Sequence, residues 1–395
     1  MANDRTLRGK VAVVGVGETT YYKRGQAEDQ EFVLVLKAIL AACEDAGISP
    51  KQLDGFASFS NDRNEPPRLA AALDTAELRF SNMQWGGGGG GGSGAVANAS
   101  AAIASGIADY VVVYRGLAQG QFGRFGQGPR RPAVRGEPAH TIPYGVMSPA
   151  QIYAMRATRL FHDHPGVSEA SQKAVALASY HHAQSNPRAV MHGRPLSGED
   201  YDESRWIVEP WRLFDCCQEN DGAAAMVLAP GDQAKDFPHP PAYVLAAMSG
   251  SPRRSQAKVH NQPDYVTSSF KELAPRLFDM AQVTPDDVDV IQSYENFTGG
   301  VVMALIEHGF ATYDNADEIL TYENLIAPDG KLPLNTSGGN LAECYMHGLE
   351  LQLEAVRQIQ GRSTAQVADA NVSFVNSGPM VTPVSSAIFG SENTL

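Results

Sequence analysis

Short apolar runs bounded by glycine alternate along the chain with longer stretches whose apolar residues recur at helical spacing, the pattern of strands interleaved with helices. VAVVGVG, from Val11, reads as a buried opening strand, and EFVLVLKAILAACEDAG after it as an amphipathic helix. DAGISPKQLDGFASFS, from Asp45, places Ser49 as an N-cap and Pro50 as the first residue of a short helical turn, which leads through Asp54 into an apolar strand. AVANASAAIASGIAD is an alanine-rich segment of helical length, and it runs directly into YVVVY, Tyr110 to Tyr114, a continuous apolar run that reads as a fully buried strand.

The same succession returns in the second part of the chain. MAQVTPDDVDVIQSYE, from Met280, lies on the Asp45 segment without a gap, with Thr284 and Pro285 in the places of Ser49 and Pro50. AYVLAAM is a second opening strand, SSFKELAPRLFDMAQ a second amphipathic helix, and ANVSFVN a second closing strand. A glycine-containing turn and helix occur in each part, at 86–106 and at 338–361. Strands alternating with helices predict parallel sheets with right-handed crossovers and helices on both faces. Two such halves packed face to face place sites at the carboxyl ends of strands from both. The halves span 1–240 and 241–395. Residues 140–240 have no counterpart in the second half, and MSPAQIYAMRATRLFHDHPG and SEASQKAVALASYHHAQSNPRA within them are helical by period. They form a cap region, about 116–210, expected to cover the first half, before FDCCQENDGAAAMVLA returns to a strand.

Composition adds limits. The 395 residues, 43% hydrophobic, suffice for one large or two medium domains. No stretch reaches the ~20 apolar residues of a membrane span, and MANDRTLRGK does not read as a signal peptide, so a soluble cytoplasmic protein is expected. The four cysteines, Cys43, Cys216, Cys217 and Cys344, lack metal-ligand spacing, which predicts no metal and suits a reducing compartment. A formal charge of −13 argues against non-specific nucleic-acid binding. One stretch departs from that field: GLAQGQFGRFGQGPRRPAVRG carries Arg124, Arg130, Arg131 and Arg135 and no acidic residue. It is either a solvated loop or subunit contact, or a set of arginines drawing in an anionic ligand. The run MQWGGGGGGGSG, 83–94, could be a linker, but it opens a buried helix feeding a buried strand, and its amides are free there to receive an anion or oxyanion.

VAVVGVGETTYYKRG at the start, NPRA in the cap, DCCQENDGAAAMVL, and NTSGGNLAECYMHG near the end together resemble the thiolase superfamily, in the branch similar to the thiolase domain of sterol carrier protein x. The resemblance covers nearly the whole chain. It implies an α/β thiolase fold, two similar βαβαβαββ halves packed as a five-layer α-β-α-β-α sandwich. Thiolases carry a nucleophilic cysteine at the start of the helix after the glycine turn, because an acyl group is held there as a thioester. The matching position here is Gly89, which implies a nucleophile turn from which the nucleophile is gone, leaving backbone and space. The His-Asp-Cys-Phe motif of sterol-carrier-type thiolases becomes Tyr294, Glu295, Asn296 and Phe297. The Gly-His-Pro motif becomes Cys344, Tyr345 and Met346, and Asn376 or Ser377 stands where the last loop often supplies an acid/base cysteine.

Tyrosine at both histidine positions is similar to the thiolase-like aldolases of bacterial steroid side-chain degradation, which cleave a β-hydroxyacyl-CoA by retro-aldol chemistry. That reaction needs a base for the β-hydroxyl, stabilisation of the thioester enolate, and an acid for its α-carbon, but no covalent acyl intermediate. Tyr294 and Tyr345 are the implied pair, with Tyr345 assigned to the hydroxyl and Tyr294 to the enolate. Gly89 and Gly378 are candidates for the thioester oxygen through their amides, Asn296 for the same substrate region, and His347 for tuning Tyr345. Core packing is the competing reading for each tyrosine, and a structural role for His347. Coenzyme A enters as part of substrate and product, with no tightly bound cofactor, and Arg124, Arg130 and Arg131 are the arginines assigned to its phosphates. For a steroid substrate the products are a 17-ketosteroid and propanoyl-CoA or acetyl-CoA. The resemblance further implies a homodimer and a small partner with an OB-fold and a zinc ribbon, sometimes fused to a hydratase domain. Two alternatives stand beside this reading: a thiolase-like acyltransferase using Cys344 or another thiol, and a non-catalytic acyl-CoA-binding scaffold.

Overall fold

The computed structural model describes residues 6–86, 88–122, 134–253, 255 and 264–395. The first half runs β1 (Val11–Glu18), α1 (Glu31–Ala46), β2 (Gly55–Phe59), α2 (Pro66–Leu73), β3 (Phe80–Gln84), α3 (Gly92–Ala104) and β4 (Val111–Ala118). An insert carrying α4 (Pro149–Asp163) and α5 (Glu169–Ser185) follows, and β5 (Asn220–Pro230) closes the half. The second half runs β6 (Ala242–Gly250), α6 (Ala274–Ala281), β7 (Val290–Ser293), α7 (Thr298–Glu307), α8 (Leu349–Ile359), β8 (Val372–Ser377) and β9 (Val384–Gly390). The two proline turns are built alike: Ser49 and Thr284 close capping boxes with Gln52 and Asp287, each ahead of a 3-10 turn.

The strand order is β7-β8-β9-β6-β1-β5-β4-β2-β3, with Tyr22–Lys23 pairing on β5. In each half two or three strands are parallel, β2 with β3 and β4 in the first and β7 with β8 in the second. The rest are antiparallel: β5 lies between β4 and β1, and β9 between β8 and β6. The expected all-parallel sheets are therefore mixed. Helical crossovers impose parallel neighbours, whereas β9 follows β8 after a short loop and can only return antiparallel. The halves join edge to edge through two residue pairs, Ala12 with Tyr243 and Val13 with Ala242. In the second half the counterpart of β3 shrinks to one parallel bridge, Ile291 with Leu334.

Helices α3 and α8 touch strands of both halves and form the middle layer, while α1 covers β1, β4 and β5 and α6 covers β6 and β9. These are the five layers of the thiolase fold. Every residue of α8 is buried, Glu350 and Glu354 included. Its Leu349, Leu351, Leu353 and Val356 would contribute roughly 1.5–3 kcal/mol each by burial. Helix α6 starts later than the apolar pattern suggests, at Ala274, because Pro275 lacks an N–H and fits only the first turn.

The insert lies mainly against the second half, and reaches the first through Arg188, 3.2 Å from Glu18. Ser168 N and Ser171 Oγ donate to Asp317, Asn186 Nδ2 to Ser337 O at 2.9 Å, and Ser179 Oγ to Glu295 at 2.7 Å. Trp211 stacks on Phe297 with ring centroids 5.3 Å apart. The buried face of α5 is lined by serine, glutamine and histidine among its alanines, so its partner is a surface of carboxylates and backbone carbonyls, which hydrophobic period does not reveal.

Candidate active site

Tyr294 follows β7 directly, and Tyr345 lies on the loop that leads into α8; the two hydroxyls are 2.6 Å apart. Their rings are tilted by 50°, and Tyr294 is 1% and Tyr345 5% exposed. The glycine turn closes this pair from the first half. Gly88–Gly91 form a 3-10 turn opening α3, and a Cβ on Gly89 would fall 2.0 Å from Tyr294 Cε2, 2.3 Å from Cζ and 2.7 Å from Oη. The space expected at Gly89 is thus not vacant: the tyrosine ring fills it.

Burial pushes both phenols well above their ordinary value of 10. The Cys217 thiol beside them disfavours the ionised form of both rings further. Asn220 Oδ1 accepts the Tyr345 N–H at 2.9 Å and fixes that residue from β5.

His347 stands edge-on to Tyr345, centroids 5.1 Å apart, and its Nδ1 is 2.7 Å from Arg115 Nη2. The side chain of Asn296 is used locally, its Nδ2 donating to Pro379 O at 3.1 Å and its Oδ1 accepting from Phe297 N at 2.8 Å, so it ties the Tyr294 loop to the last loop. Gly378 (φ 69°) belongs to that last loop, and a Cβ there would lie 2.3 Å from Gly90 Cα, so the backbones of the two loops pack directly on each other. Asn376 and Ser377 are likewise occupied, by Ser293 at 2.8 Å and by Ser93 at 3.0–3.1 Å. Arg124, Arg130 and Arg131 lie outside the described residues.

The thiols are poor nucleophiles. Burial raises Cys43 and Cys217 to about 12 and drives Cys216 and Cys344 higher, Cys344 further disfavoured by Glu350 and Glu343. Carboxylates in the same region are also pushed towards neutrality: burial raises Glu295 and Glu343 to about 7, and Glu350 well above its ordinary 4.5. Among the described residues no group of three or more His, Cys, Asp and Glu could hold a metal, and no helix is long and apolar enough to cross a membrane.

Three contributors escape sequence reasoning. Asn220 sits inside the quoted DCCQENDG stretch, where it reads only as the start of a strand. Glu350 is hidden in a helix whose charged residues look like a solvated face. Arg115 left a signal, a cation straight after an apolar run, and it is 1% exposed.

A family model for the thiolase C-terminal domain matches residues 252–391. Over 98% of its length the chain is 36% identical to a steroid side-chain-cleaving aldolase of Thermomonospora curvata, spanning 99% of that protein. It is also 36% identical, over 97% of its length, to the 17-hydroxy-3-oxo-4-pregnene-20-carboxyl-CoA lyase of Mycobacterium tuberculosis, spanning all of it. The solved structure of the Ltp2-ChsH2(DUF35) aldolase superposes on 99% of the chain and covers 100% of its own, with a TM-score of 0.91 and 34% identity.

Proposed function

The chain belongs to the thiolase superfamily, among its side-chain-cleaving aldolases, and from that premise we propose that it cleaves a β-hydroxyacyl-CoA, of steroid type with a 17-hydroxy side chain, to a ketone and a shorter acyl-CoA. Propanoyl-CoA and acetyl-CoA are the acyl products that this chemistry would release. The observation that carries the proposal is the Tyr294–Tyr345 hydroxyl pair at 2.6 Å, with the ring of Tyr294 lying in the space that a nucleophilic side chain at position 89 would need.

Two phenols with raised pKa values are ill-suited to separate roles as a free base and a free acid, but well suited to act together. In the proposed step the substrate β-hydroxyl gives its proton to Tyr294 as Tyr294 passes its own to Tyr345, and Tyr345 delivers a proton to the α-carbon. The O–H and Cα–Cβ bonds break, the ketone C=O and a new Cα–H bond form, and both tyrosines end neutral. The short hydroxyl–hydroxyl contact lets the pair share the transient charge. The proposed donor to the thioester oxygen is the Gly378 amide in the last loop, since the Tyr294 ring fills the space beside Gly89.

Coenzyme A enters as part of the substrate, and Arg124, Arg130 and Arg131 remain the proposed contacts of its phosphates. A homodimer and a small OB-fold, zinc-ribbon partner are proposed as the working assembly, supported by the sequence resemblance and by a solved relative named with a DUF35 component. The test is incubation of the chain, co-expressed with such a partner, with a steroidal β-hydroxyacyl-CoA, with and without free CoA, read by mass spectrometry. Ketone and short acyl-CoA without added CoA support retro-aldol cleavage. Products only with free CoA mean thiolysis and overturn the proposal, as does inertness of the assembled complex towards the whole substrate class.

A further inference from the structure

Arg115 is a cation inside the first-half sheet near the end of β4, and its partners account for the direction of its guanidinium. It donates to Phe59 O at 2.9 Å, to Asp62 Oδ2 and Asn61 Oδ1 at 3.3 Å, and reaches His347 Nδ1 at 2.7 Å. A guanidinium has donors only, so His347 Nδ1 must be the acceptor in that contact. The imidazole is therefore neutral, with its proton on Nε2.

The backbone at His347 makes the contact matter. His347 has φ 53° and Gly348 φ 82°, two successive left-handed residues that begin two positions after Tyr345. A left-handed conformation at a non-glycine residue persists where its surroundings over-determine it. Here the surroundings are the Arg115 contact at one edge of the imidazole and the Tyr345 ring against it, 5.1 Å away at 84°.

We infer that Arg115 is a positioning residue for the tyrosine pair: by taking the Nδ1 lone pair of His347 it fixes the Nε2–H tautomer and holds the loop that sets Tyr345 against Tyr294. The inference deepens the proposed function and rests on it for the reaction, but its structural half stands independently. The charged and titratable groups around His347 are Arg115 from β4, Asp62 and Arg63 from the loop after β2, Glu31 of α1, paired with Arg63 at 3.2 Å, and Tyr345 from its own loop. Burial and the two arginines both disfavour a positive imidazole, which agrees with the tautomer read from geometry.

Two measurements test this on the full chain. In the free protein, 15N-histidine and 13C-tyrosine labelling, with His347 and Tyr345 assigned from His347→Asn and Tyr345→Phe, is expected to show a neutral Nε2–H imidazole from about pH 5.5 to 8.5. Arg115→Lys is expected to move the Tyr345 ring signal. In the assembled enzyme, Arg115→Lys and His347→Leu should each lower kcat about tenfold or more with little change in KM, as misplacement of a reacting group does. The double variant should lose no more than either single one. His347→Asn, which keeps an acceptor for Arg115 and tolerates a left-handed backbone, should retain at least about tenfold more kcat than His347→Leu. A titrating or Nδ1–H His347 in the folded protein overturns the inference, as does a folded Arg115→Lys with unchanged kcat. The expected tautomer and Tyr345 shift in a protein that cleaves no β-hydroxyacyl-CoA would retain the clamp and remove the reaction.

Discussion

Replacing Gly89 with alanine adds one methyl group at the most crowded point of the site. That Cβ would sit 2.0 Å from Tyr294 Cε2, whereas carbon atoms rest at about 3.5–4.0 Å, so the ring must retreat by about 1.5 Å. Gly348 also crowds the ring, since a Cβ there would lie 2.6 Å from Tyr294 Cδ2, so two glycines close in on it. Overpacking of this kind costs about 1–3 kcal/mol. Displacing a reacting group by even 1 Å costs on the order of 10²-fold in rate. Gly89→Ala is therefore expected to lower the unfolding free energy by about 1–3 kcal/mol in denaturant titration, and to cut product release about 100-fold or more. The control is Gly89→Ala with Tyr294→Ala. If the ring is the obstacle, the two stability losses will fall short of additive by about 0.5–3 kcal/mol. Gly89→Ala with wild-type stability and turnover would refute the claim that Tyr294 occupies this space.

The remaining predictions are shorter. Tyr294→Phe and Tyr345→Phe should each lower turnover by about 10²–10⁴-fold, with thermal unfolding moved only slightly; retention of activity in either would remove that residue from the relay. Cys344→Ala should leave turnover within about threefold and cost about 1 kcal/mol for the packing lost at a fully buried site; abolished turnover would instead favour thiol chemistry. Glu295 is held near 7 against an ordinary 4.5, so the folded state keeps a proton that the unfolded chain has lost between these values. Its contribution to stability is therefore full below about pH 4.5 and is lost as pH rises through 7. Relative to wild type, Glu295→Gln should gain stability on going from pH 5 to pH 8, by an amount on the order of 3 kcal/mol, measured by denaturant titration at both pH values. A difference independent of pH would contradict the raised value.

What the sequence disclosed and what it hid follow one physical line. Caps, proline turns and apolar periods are local, so the duplicated halves and the strands β1, β2 and β4 to β8 were legible in it, whereas β3 and β9 were not read from it. Motif positions brought Tyr294 and Tyr345 to one place, but spacing cannot say what fills a gap, and the room imagined at Gly89 belongs to Tyr294. Burial of polar groups was the main blind spot. The insert docks on the second half through Ser171, Ser179 and Asn186, side chains that a hydrophobic reading sets on the solvent side. Glu350 and Glu354 at a spacing of four look like an exposed face, yet both lie on the wholly buried α8.

These electrostatic features converge on one kind of chemistry. A thiol nucleophile needs its pKa lowered, by a helix N-terminus or a cation, but here the carboxyl groups of Glu343 and Glu350 lie around Cys344, and burial raises every thiol. The space beside residue 89 that a thiolate would occupy holds the ring of Tyr294 instead. Nothing in that arrangement favours holding a full negative charge before substrate arrives. It favours short proton transfers between groups that begin and end neutral, which is the demand of a carbon–carbon cleavage that shifts one proton from oxygen to carbon. In the proposed relay, the ring that blocks the nucleophile position is also the group that performs the transfer. Restoring a cysteine at position 89 should therefore not restore an acyltransferase: Gly89→Cys would displace Tyr294 and place a thiol among groups that keep it protonated. Its expected phenotype is loss of aldol cleavage with no CoA-dependent thiolysis, checked by the same mass-spectrometric assay. Appearance of a covalent acyl-enzyme in Gly89→Cys would show that the site tolerates both chemistries, and would refute the argument that one ring excludes the other.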